Sequence, residues 1–440
     1  MAEATTDGAA CGANDGAAQG SAVFPASVTW EGAGTSRIPF GVYTHEDLHR
    51  KELERFFYRK HWCYVGLDAE IPNPGDFKRT VVGERSVILV RSADGQVQVV
   101  ENVCAHRGMQ FCRERHGNRK EFICPYHQWS YTLKGDLQGV PFRRGVRSEG
   151  KVQGGMPADF NTADNGLTKL KVATRGGVVF ASFDHDVEAL EDFIGPAVLH
   201  YFDRLFDGRA LTILGYNRQR IPGNWKLMQE NIKDPYHPGL LHSWFVTFGL
   251  WRADNKSALL MDAHHRHAAM ISTRGEAGSA GQGAAQVTQV SSFKQGMQLH
   301  DPRFLDIVAE PWWGGPTAVM TTLFPSVILQ QQVNSVSVRH IQPDGHGHFN
   351  FEWTHFGFRD DSAEMTQRRL RQANLFGPAG FVSADDGEVI ELSQRAFESK
   401  PAHRALAELG GRDVADADHM VTETLIRGMY RYWREVMEAS

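Results

Sequence analysis

Two short segments, each carrying one cysteine and one histidine, constrain the fold of this chain more than any other feature. Cys104 and His106 are separated by one residue, Cys124 and His127 by two, and 17 residues lie between the segments. A [2Fe–2S] cluster in which two histidines replace two cysteines on one iron needs this ligand set. Structural zinc sites also use two cysteines and two histidines, but usually as a cysteine pair followed by a histidine pair. The order and spacing favour the cluster, and they require a fold that brings two loops together.

A second group of possible metal ligands lies between residues 234 and 242. Asp234 and His237 are three residues apart, about one helical turn, so they share a face. His242 lies five residues beyond His237, and a helical turn can loosen at Pro238-Gly239 between them. Two histidines and one carboxylate form a facial triad that leaves open positions on ferrous iron for dioxygen. The alternative is an acidic helix cap with two incidental histidines, since the chain contains 20 histidines.

The third ligand of such a triad must come from elsewhere in the chain. Asp385 and Asp386 are the best candidates, at the start of a predicted helix that follows the segment Gly-Pro-Ala-Gly at residues 377–380. The alternative is that these two carboxylates cap the helix that they precede. The residues alone leave the choice between the two aspartates open.

The spacing of strand and turn signals divides the chain into two structured parts. From residue 62 to about 183, short apolar runs alternate with turn residues, as on either side of Asp94-Gly95, which predicts a small all-β domain. In the second half, residues 327–341 and 348–358 are typical of strands, and residues 364–376, 384–397 and 421–437 of helices. The predicted fold class is therefore α+β, with an antiparallel sheet covered by helices in the second domain.

We predict four segments along the chain. They are a disordered or extended N-terminal tail (1–36), a helical segment packing on the catalytic domain (37–57), the cluster domain (58–175) and the catalytic domain (176–440). The tail is predicted because residues 2–22 are nearly all Ala, Gly, Asp, Asn, Ser and Thr, which offer nothing to bury. A second low-complexity stretch, residues 275–285, is interpreted as a surface loop.

Composition excludes several classes of partner. The net charge is −5, so the chain has no basic surplus with which to bind nucleic acid or an anionic membrane. No stretch approaches the roughly 18 uninterrupted apolar residues of a membrane span. The first 36 residues contain no Lys or Arg, which argues against a secretory signal. Five cysteines, an odd and low number, fit a reducing compartment. We expect a soluble, cytoplasmic protein.

The two metal motifs together predict an enzyme that activates dioxygen. A cluster supplies electrons singly, and a ferrous site with open positions binds oxygen. No Walker loop or dinucleotide glycine fingerprint occurs, so we expect NADH to bind another protein and this chain to be a terminal oxygenase. The rival is a pure electron carrier, which the length of 440 residues and the second metal motif disfavour.

The motifs resemble the large (α) subunit of Rieske non-haem iron aromatic ring-hydroxylating oxygenases, over roughly residues 30–440. The resemblance implies a small all-β Rieske domain and a catalytic domain of helix-grip type, with helices over an antiparallel sheet. It implies that a [2Fe–2S] cluster is held by Cys104, His106, Cys124 and His127, and a mononuclear Fe²⁺ by His237, His242 and Asp386. Asp386 is chosen over Asp385 because the ligand of the family matches the second aspartate of the pair.

The resemblance also implies an assembly. In this family the cluster of one subunit lies near the iron of its neighbour. Asp234 would then accept hydrogen bonds from His237 and from His127 of the adjacent subunit, and so link the two redox centres. A trimeric ring follows, commonly with small β subunits as α3β3. Electrons would come from NADH through a ferredoxin reductase and a ferredoxin.

Three segments, residues 223–230, 244–251 and 330–334, resemble members of the family that act on salicylate. Such an enzyme would insert one atom of O2 para to the hydroxyl of salicylate and form gentisate and water. The alternative is a ring dioxygenase or monooxygenase that acts on a related substituted benzoate such as anthranilate. Iron, cluster and fold are shared between these reactions, so contacts in the pocket decide the outcome.

A small aromatic acid needs a pocket that is mostly apolar, with a few polar groups that fix its orientation. Matched against the family, six residues are candidates for this pocket: Asn231, Met270, Met320, Gln330, Phe376 and Val382. The amides of Asn231 and Gln330 would hydrogen-bond the hydroxyl or the carboxylate. The alternative is that each of the six is an ordinary core or strand residue. No arginine stands out in the sequence as the partner of the carboxylate.

Overall fold

The computed structural model describes residues 28–32, 34–251, 255–274, 291, 293–380 and 382–439. In these ranges the strands β1 to β21 are Arg37–Pro39, Cys63–Leu67, Asp76–Val82, Arg85–Arg91, Val97–Glu101, His116–Asn118, Phe122–Ile123, Ser130–Tyr131, Leu137–Gly139, Val146–Ser148, Lys151–Gln153, Lys171–Arg175, Val178–Ser182, Leu211–Ile221, Lys256–Met261, Ala268–Thr273, Ala318–Leu323, Val327–Gln332, Ser335–Pro343, Phe349–Phe358 and Arg404–Leu406. The helices α1 to α9 are Glu46–Glu52, Leu190–Ile194, Pro196–Leu205, Trp225–Lys233, Pro238–Leu241, Ser243–Thr247, Ala363–Phe376, Ser383–Ser399 and Thr424–Glu438. The predicted loop at 275–285 and residues 1–27 of the predicted tail lie outside the described residues.

The first structured domain is built from short antiparallel strands. A four-stranded sheet has the order β5-β4-β3-β6, and a three-stranded sheet has the order β7-β8-β9. The predicted hairpin is confirmed as β4 and β5, which pair on either side of the turn at Gly95, where φ is 83°. Phe111, Phe122 and Tyr131 pack in one core with Cys104 and Cys124. The loops that carry the two cysteines are therefore anchored in the core of this domain.

The boundary between the two domains differs from the predicted position after residue 175. Strand β13 pairs with β2 and with β12 in one three-stranded sheet, so it belongs to the first domain. Strands β12 and β13 are joined by Gly176 and Gly177, both with positive φ, in a tight turn. Because a hairpin of this kind forms as one unit, the structure places the boundary after residue 182.

The second domain contains a seven-stranded antiparallel sheet with the order β14-β20-β19-β18-β17-β16-β15. The predicted strand at 348–358 is confirmed as β20. The single strand predicted over 327–341 is wrong, because the chain reverses between β18 and β19. Val333 has a positive φ of 47°, and the N–H of Asn334 donates to Oε1 of Gln372 on α7 (2.8 Å). A contact that is distant in sequence thus supports the turn.

Helices cover this sheet, as predicted. The helices expected over 364–376, 384–397 and 421–437 are confirmed as α7, α8 and α9. In α9, Leu425, Met429, Trp433 and Met437 recur at every fourth position and are all buried. Such a stripe is the apolar face of a helix that packs on a core. Within the described ranges, no helix combines the length and the apolar composition that crossing a lipid bilayer would require.

The N-terminal segment 37–57 packs on the catalytic domain through a buried carboxylate. Glu52 of α1 accepts hydrogen bonds from Nζ of Lys226 (3.0 Å), Nε1 of Trp225 (3.1 Å) and Nε1 of Trp433 (2.7 Å). Both the carboxylate of Glu52 and the ammonium of Lys226 are fully buried, so each needs the other as a partner. The segment is therefore an integral part of the catalytic domain.

The predicted tail is too long at its C-terminal end. Val28 and Trp30 are buried, and the ring of Trp30 lies 5.6 Å from that of Tyr430 and 6.1 Å from that of Trp433, centroid to centroid. A tryptophan buries a large apolar area on such a contact. Residues 28–32 and 34–36 therefore belong to the folded part of the chain, although they were predicted to be part of the tail.

Candidate metal centres and active site

The two predicted cluster loops share one backbone arrangement. In the first, the N–H of Gly108 donates to the carbonyl of Cys104 (2.8 Å), and in the second the N–H of Gln128 donates to the carbonyl of Cys124 (2.8 Å). Gly108 and Gln128 both have positive φ, 70° and 58°. Each loop is thus one tight turn that presents a cysteine and a histidine on the same side.

The cysteines and the histidines of these loops differ in how deeply they are buried. Cys104 and Cys124 are buried, whereas His106 and His127 are half-buried, with their ring centroids 4.5 Å apart. The hydroxyl of Tyr131 lies 3.2 Å from Sγ of Cys104, and hydrogen bonds to cluster sulfurs are one means of setting a reduction potential. Thiols inside and imidazoles outside fit a cluster whose histidine-bound iron faces the surface.

The second group of ligands lies where α4 ends and the chain makes two irregular turns. Asp234 leaves the helix in an extended conformation, and its Oδ1 accepts hydrogen bonds from the backbone N–H of Tyr236 (2.8 Å) and of His237 (3.3 Å). Pro238 then begins the single-turn helix α5, and His242 follows its end. His237 and His242, which are five residues apart, can face the same point from this irregular turn, whereas they could not do so from one regular helix.

Three side chains converge at this point. Asp386 lies in the first turn of α8, and its Oδ1 is 3.5 Å from Nε2 of His237 and 3.2 Å from Nε2 of His242. Among the described residues, this is the only group of at least three His, Cys, Asp or Glu side chains whose ligand atoms lie within 4.8 Å of one another. Nδ2 of Asn231 donates to the same carboxylate oxygen (3.1 Å). The group has the donor set of a facial triad.

The charges at the triad favour a cation. Burial alone would raise the pKa of Asp386, but the neighbouring imidazoles of His237 and His242 outweigh it and lower that pKa well below its ordinary value. Burial alone would lower the pKa of His237, but the carboxylates of Asp234 and Asp386 raise it to about 9. The first shift keeps Asp386 ionised, and the second shows that two carboxylates stabilise positive charge at His237, which is the charge pattern that suits a divalent cation.

Each imidazole of the triad has a carboxylate behind it. Oδ2 of Asp385 lies 3.1 Å from Nδ1 of His242, and Oδ2 of Asp234 lies 3.4 Å from Nδ1 of His237. Asp385 is thus on the far side of the His242 ring from Asp386, and its side chain is 40% exposed. Carboxylates in this position orient metal-binding imidazoles and raise their basicity.

We expect Asp385→Asn to weaken ferrous binding about 10- to 100-fold without abolishing it, because the triad remains while His242 loses an anionic partner. The measurement is a titration of Fe²⁺ into iron-depleted protein that retains its cluster. Glu388→Gln is the matched control, an exposed carboxylate on the same helix, and should bind iron as the unsubstituted chain does. Equal affinity of the Asp385 and Glu388 variants would contradict the role of Asp385.

A cavity lies at the triad, and its walls are mostly apolar. Four of the six predicted pocket residues line it: Asn231, Met270, Met320 and Val382. Gln330 and Phe376 do not. Gln330 is fully buried and donates from Nε2 to Oε1 of Gln332 (2.9 Å), which lines the cavity in its place. Phe376 stacks on Phe245, a lining residue, at 5.9 Å between centroids.

Several residues of the cavity wall were not predicted from the sequence. Trp251 and Met420 line it from segments that show no periodic pattern, so no local signal identified them. Arg339 also lines it, from the middle of the buried strand β19. A charged residue in such a strand is itself a signal, because buried cations need a partner.

Comparison with known proteins agrees with this architecture. Residues 61–149 match the Rieske [2Fe-2S] domain, and residues 202–439 match the catalytic domain of the ring hydroxylating alpha subunit. The chain therefore belongs to the Rieske ring-hydroxylating oxygenases, as an alpha subunit with a [2Fe-2S] cluster and a mononuclear iron.

Three similar proteins show how far the likeness extends in sequence and in fold. The chain is 74% identical to the large oxygenase component of salicylate 5-hydroxylase from Ralstonia sp., over 94% of this chain and 97% of the relative. It is 38% identical to the large subunit of anthranilate 1,2-dioxygenase from Burkholderia cepacia, over 91% and 93% of the two chains. Its fold matches naphthalene 1,2-dioxygenase from Rhodococcus sp. bound to indole, with a TM-score of 0.75 at 22% identity, over 92% of this chain and 95% of the other. That last comparison shows the fold.

Proposed function

We propose that this chain is the large subunit of a terminal oxygenase that hydroxylates salicylate at position 5 to gentisate. The observation that carries the proposal is 74% identity, over nearly the whole chain, to a salicylate 5-hydroxylase component. The mostly apolar cavity beside the triad suits a small aromatic ring. In the overall reaction, salicylate, O2, NADH and a proton give gentisate, NAD⁺ and water. One oxygen atom enters the ring and the other leaves as water.

We propose that the predicted ligands have the roles that their geometry supports. The cluster is held by Cys104, His106, Cys124 and His127, and the iron by His237, His242 and Asp386. When bound, these groups supply single electrons and a site for dioxygen activation. Other residues of the site position the metal ligands and the substrate. Asn231 fixes the carboxylate of Asp386, and Met270, Met320 and Val382 form walls that hold the ring and exclude water.

We also propose which proteins this chain binds and in which cellular compartment it acts. Ile123 (51% exposed) and Tyr126 (58% exposed) flank Cys124 and lie close to His127, so apolar surface adjoins the cluster loop. This surface suits contact with a neighbouring copy in an α3β3 assembly with small β subunits. A ferredoxin and its NADH-dependent reductase would supply electrons in the cytoplasm, where thiols stay reduced.

The test is product analysis after reconstitution with a ferredoxin, its reductase and NADH under ¹⁸O2. We expect gentisate from salicylate with one labelled oxygen atom, and little conversion of anthranilate or benzoate. Two labelled atoms in the product, or preferred turnover of anthranilate, would instead establish the alternative, a ring dioxygenase or monooxygenase of another benzoate. Salicylate left unconverted while cluster and iron are fully loaded would overturn the proposed substrate.

A further inference from the structure

Arg339 is the one residue of the cavity wall named above that carries a full positive charge. It lies in β19, near the middle of the seven-stranded sheet, and is 4% exposed. Its guanidinium carbon lies over the indole of Trp353 on β20, 3.9 Å from the ring centroid. Arg339 and Asp386 line the same cavity, so the positive charge of the guanidinium faces the space beside the candidate iron ligands.

Beyond the ring of Trp353, the guanidinium of Arg339 has no ion-pair or hydrogen-bond partner in the part of the chain that the structure describes. It forms no ion pair and no hydrogen bond there, and its buried Nε has no acceptor. Arg369, which is equally buried, shows how the chain satisfies such a group elsewhere. Its guanidinium is 2.7 Å from Glu310 and 2.7 Å from Asp361. A buried cation without such partners is costly, unless a ligand supplies the anion.

Neighbouring residues on the same face of the sheet also have single buried polar atoms that make no hydrogen bond to described residues. Arg339 is directly opposite Trp353 in the β19–β20 register, and Ser337 is directly opposite His355. Nε1 of Trp353, Oγ of Ser337 and Nδ1 of His355 are buried and make no hydrogen bond to described residues. Native proteins rarely leave several buried polar atoms unsatisfied in one place. Of these residues only Arg339 lines the cavity, so its guanidinium is the group that a ligand in the cavity would meet.

The remaining charges near Arg339 do not neutralise it. Burial lowers the pKa of the Arg339 guanidinium to about 9, and the carboxylate of Asp386 opposes that shift, so the group stays cationic at neutral pH. Burial, assisted by the charge of Arg339, lowers the pKa of His355 to about 4, so that imidazole is neutral. Asp386 itself already faces two imidazoles. The cation is therefore available to an anionic ligand.

We propose that Arg339 is the residue that binds the carboxylate of the aromatic substrate and thereby sets which ring carbon faces the iron. The proposal rests on the proposed function, because it takes the substrate to be an aromatic acid. The planar fork of a guanidinium binds a carboxylate through two parallel N–H donors, which fixes orientation as well as position. The indole of Trp353 supports the guanidinium from one side.

The test compares Arg339→Met and Arg339→Lys with the unsubstituted oxygenase, loaded with cluster and iron. Equilibrium dialysis gives Kd for salicylate and for salicylamide, which has the same shape without the charge. Loss of a buried charge pair at an interface corresponds to about 30-fold or more in Kd. We expect that loss for salicylate with Arg339→Met, an intermediate loss with Arg339→Lys, and a change below about 3-fold for salicylamide.

Other outcomes would overturn the assignment. An unchanged Kd for salicylate would show that the guanidinium does not bind the carboxylate. An equal loss for salicylate and salicylamide would show a merely structural role. A loss of iron with salicylate affinity retained would mean that Arg339 serves Asp386. If the unsubstituted enzyme made no gentisate, yet bound another aromatic carboxylate in an Arg339-dependent way, the proposed substrate would fail and this inference would stand.

Discussion

Replacing Asp386 by alanine is expected to abolish ring hydroxylation while leaving the visible absorption of the cluster unchanged. Asp386 contributes the carboxylate of the convergent triad, and its side chain is only 5% exposed, so no other described group is placed to substitute for it. Without the anionic ligand, two imidazoles hold a dication weakly. Iron analysis should therefore give the content of the cluster alone.

Two further variants make this result specific. Asp386→Asn keeps the size of the side chain and removes its charge, so it should also lose the mononuclear iron. Glu388→Ala removes an exposed carboxylate two residues further along α8, and should keep both iron and activity. Retention of hydroxylation in the Asp386→Ala variant would show that the third ligand is a different residue.

The cluster and the iron-site histidines could be predicted from the sequence because their spacing is local. A cysteine and a histidine two or three residues apart can reach one cluster only from a tight turn, and both cluster turns are present. His237 and His242 converge because α4 ends at Lys233 and the two histidines flank the single-turn helix α5, which begins at Pro238. In these segments, the short-range pattern determines which side chains meet.

The choice between the two aspartates depends on the direction of a helix. Successive residues of a helix point about 100° apart, so Asp385 and Asp386 cannot both face the same ion. Asp386 faces both imidazoles, while Asp385 contacts His242 from behind. Which residue takes which position depends on how α8 packs, and that packing is not encoded in the two residues themselves.

Arg339 was not predicted as a pocket residue because the turn between β18 and β19 was not predicted. In one continuous strand over 327–341, Gln330 and Arg339 would point to opposite faces, since side chains alternate. The turn at residues 333–334 reverses the chain and pairs Gln330 with Ser337, which puts Gln330, Ser337 and Arg339 on the same face. A change of register by one residue moves every side chain of a strand to the other face. The tertiary contact of Asn334 with Gln372 that supports the turn is invisible in the sequence.

Replacing Asp234 by alanine is expected to leave both metals bound but to block electron transfer between them. Oδ2 of Asp234 lies 3.4 Å from Nδ1 of His237, and its side chain is 21% exposed, so one edge of the carboxylate remains open to a neighbouring copy. We propose that His127 of that copy donates to it. The measurement is the reoxidation rate of a pre-reduced cluster in a single turnover with salicylate and O2. We expect that rate to fall by about 10- to 100-fold.

Asp385→Asn provides the matched comparison, because Asp385 and Asp234 each contact the outer nitrogen of one iron-binding imidazole. If a carboxylate in this position only orients its imidazole, both variants should lower iron affinity and slow turnover to a similar degree once iron is restored. If Asp234 also joins the two redox centres, only its replacement should keep the cluster reduced in the iron-loaded protein. A normal single-turnover rate for Asp234→Ala would refute the link, and would require another route between the cluster and the iron.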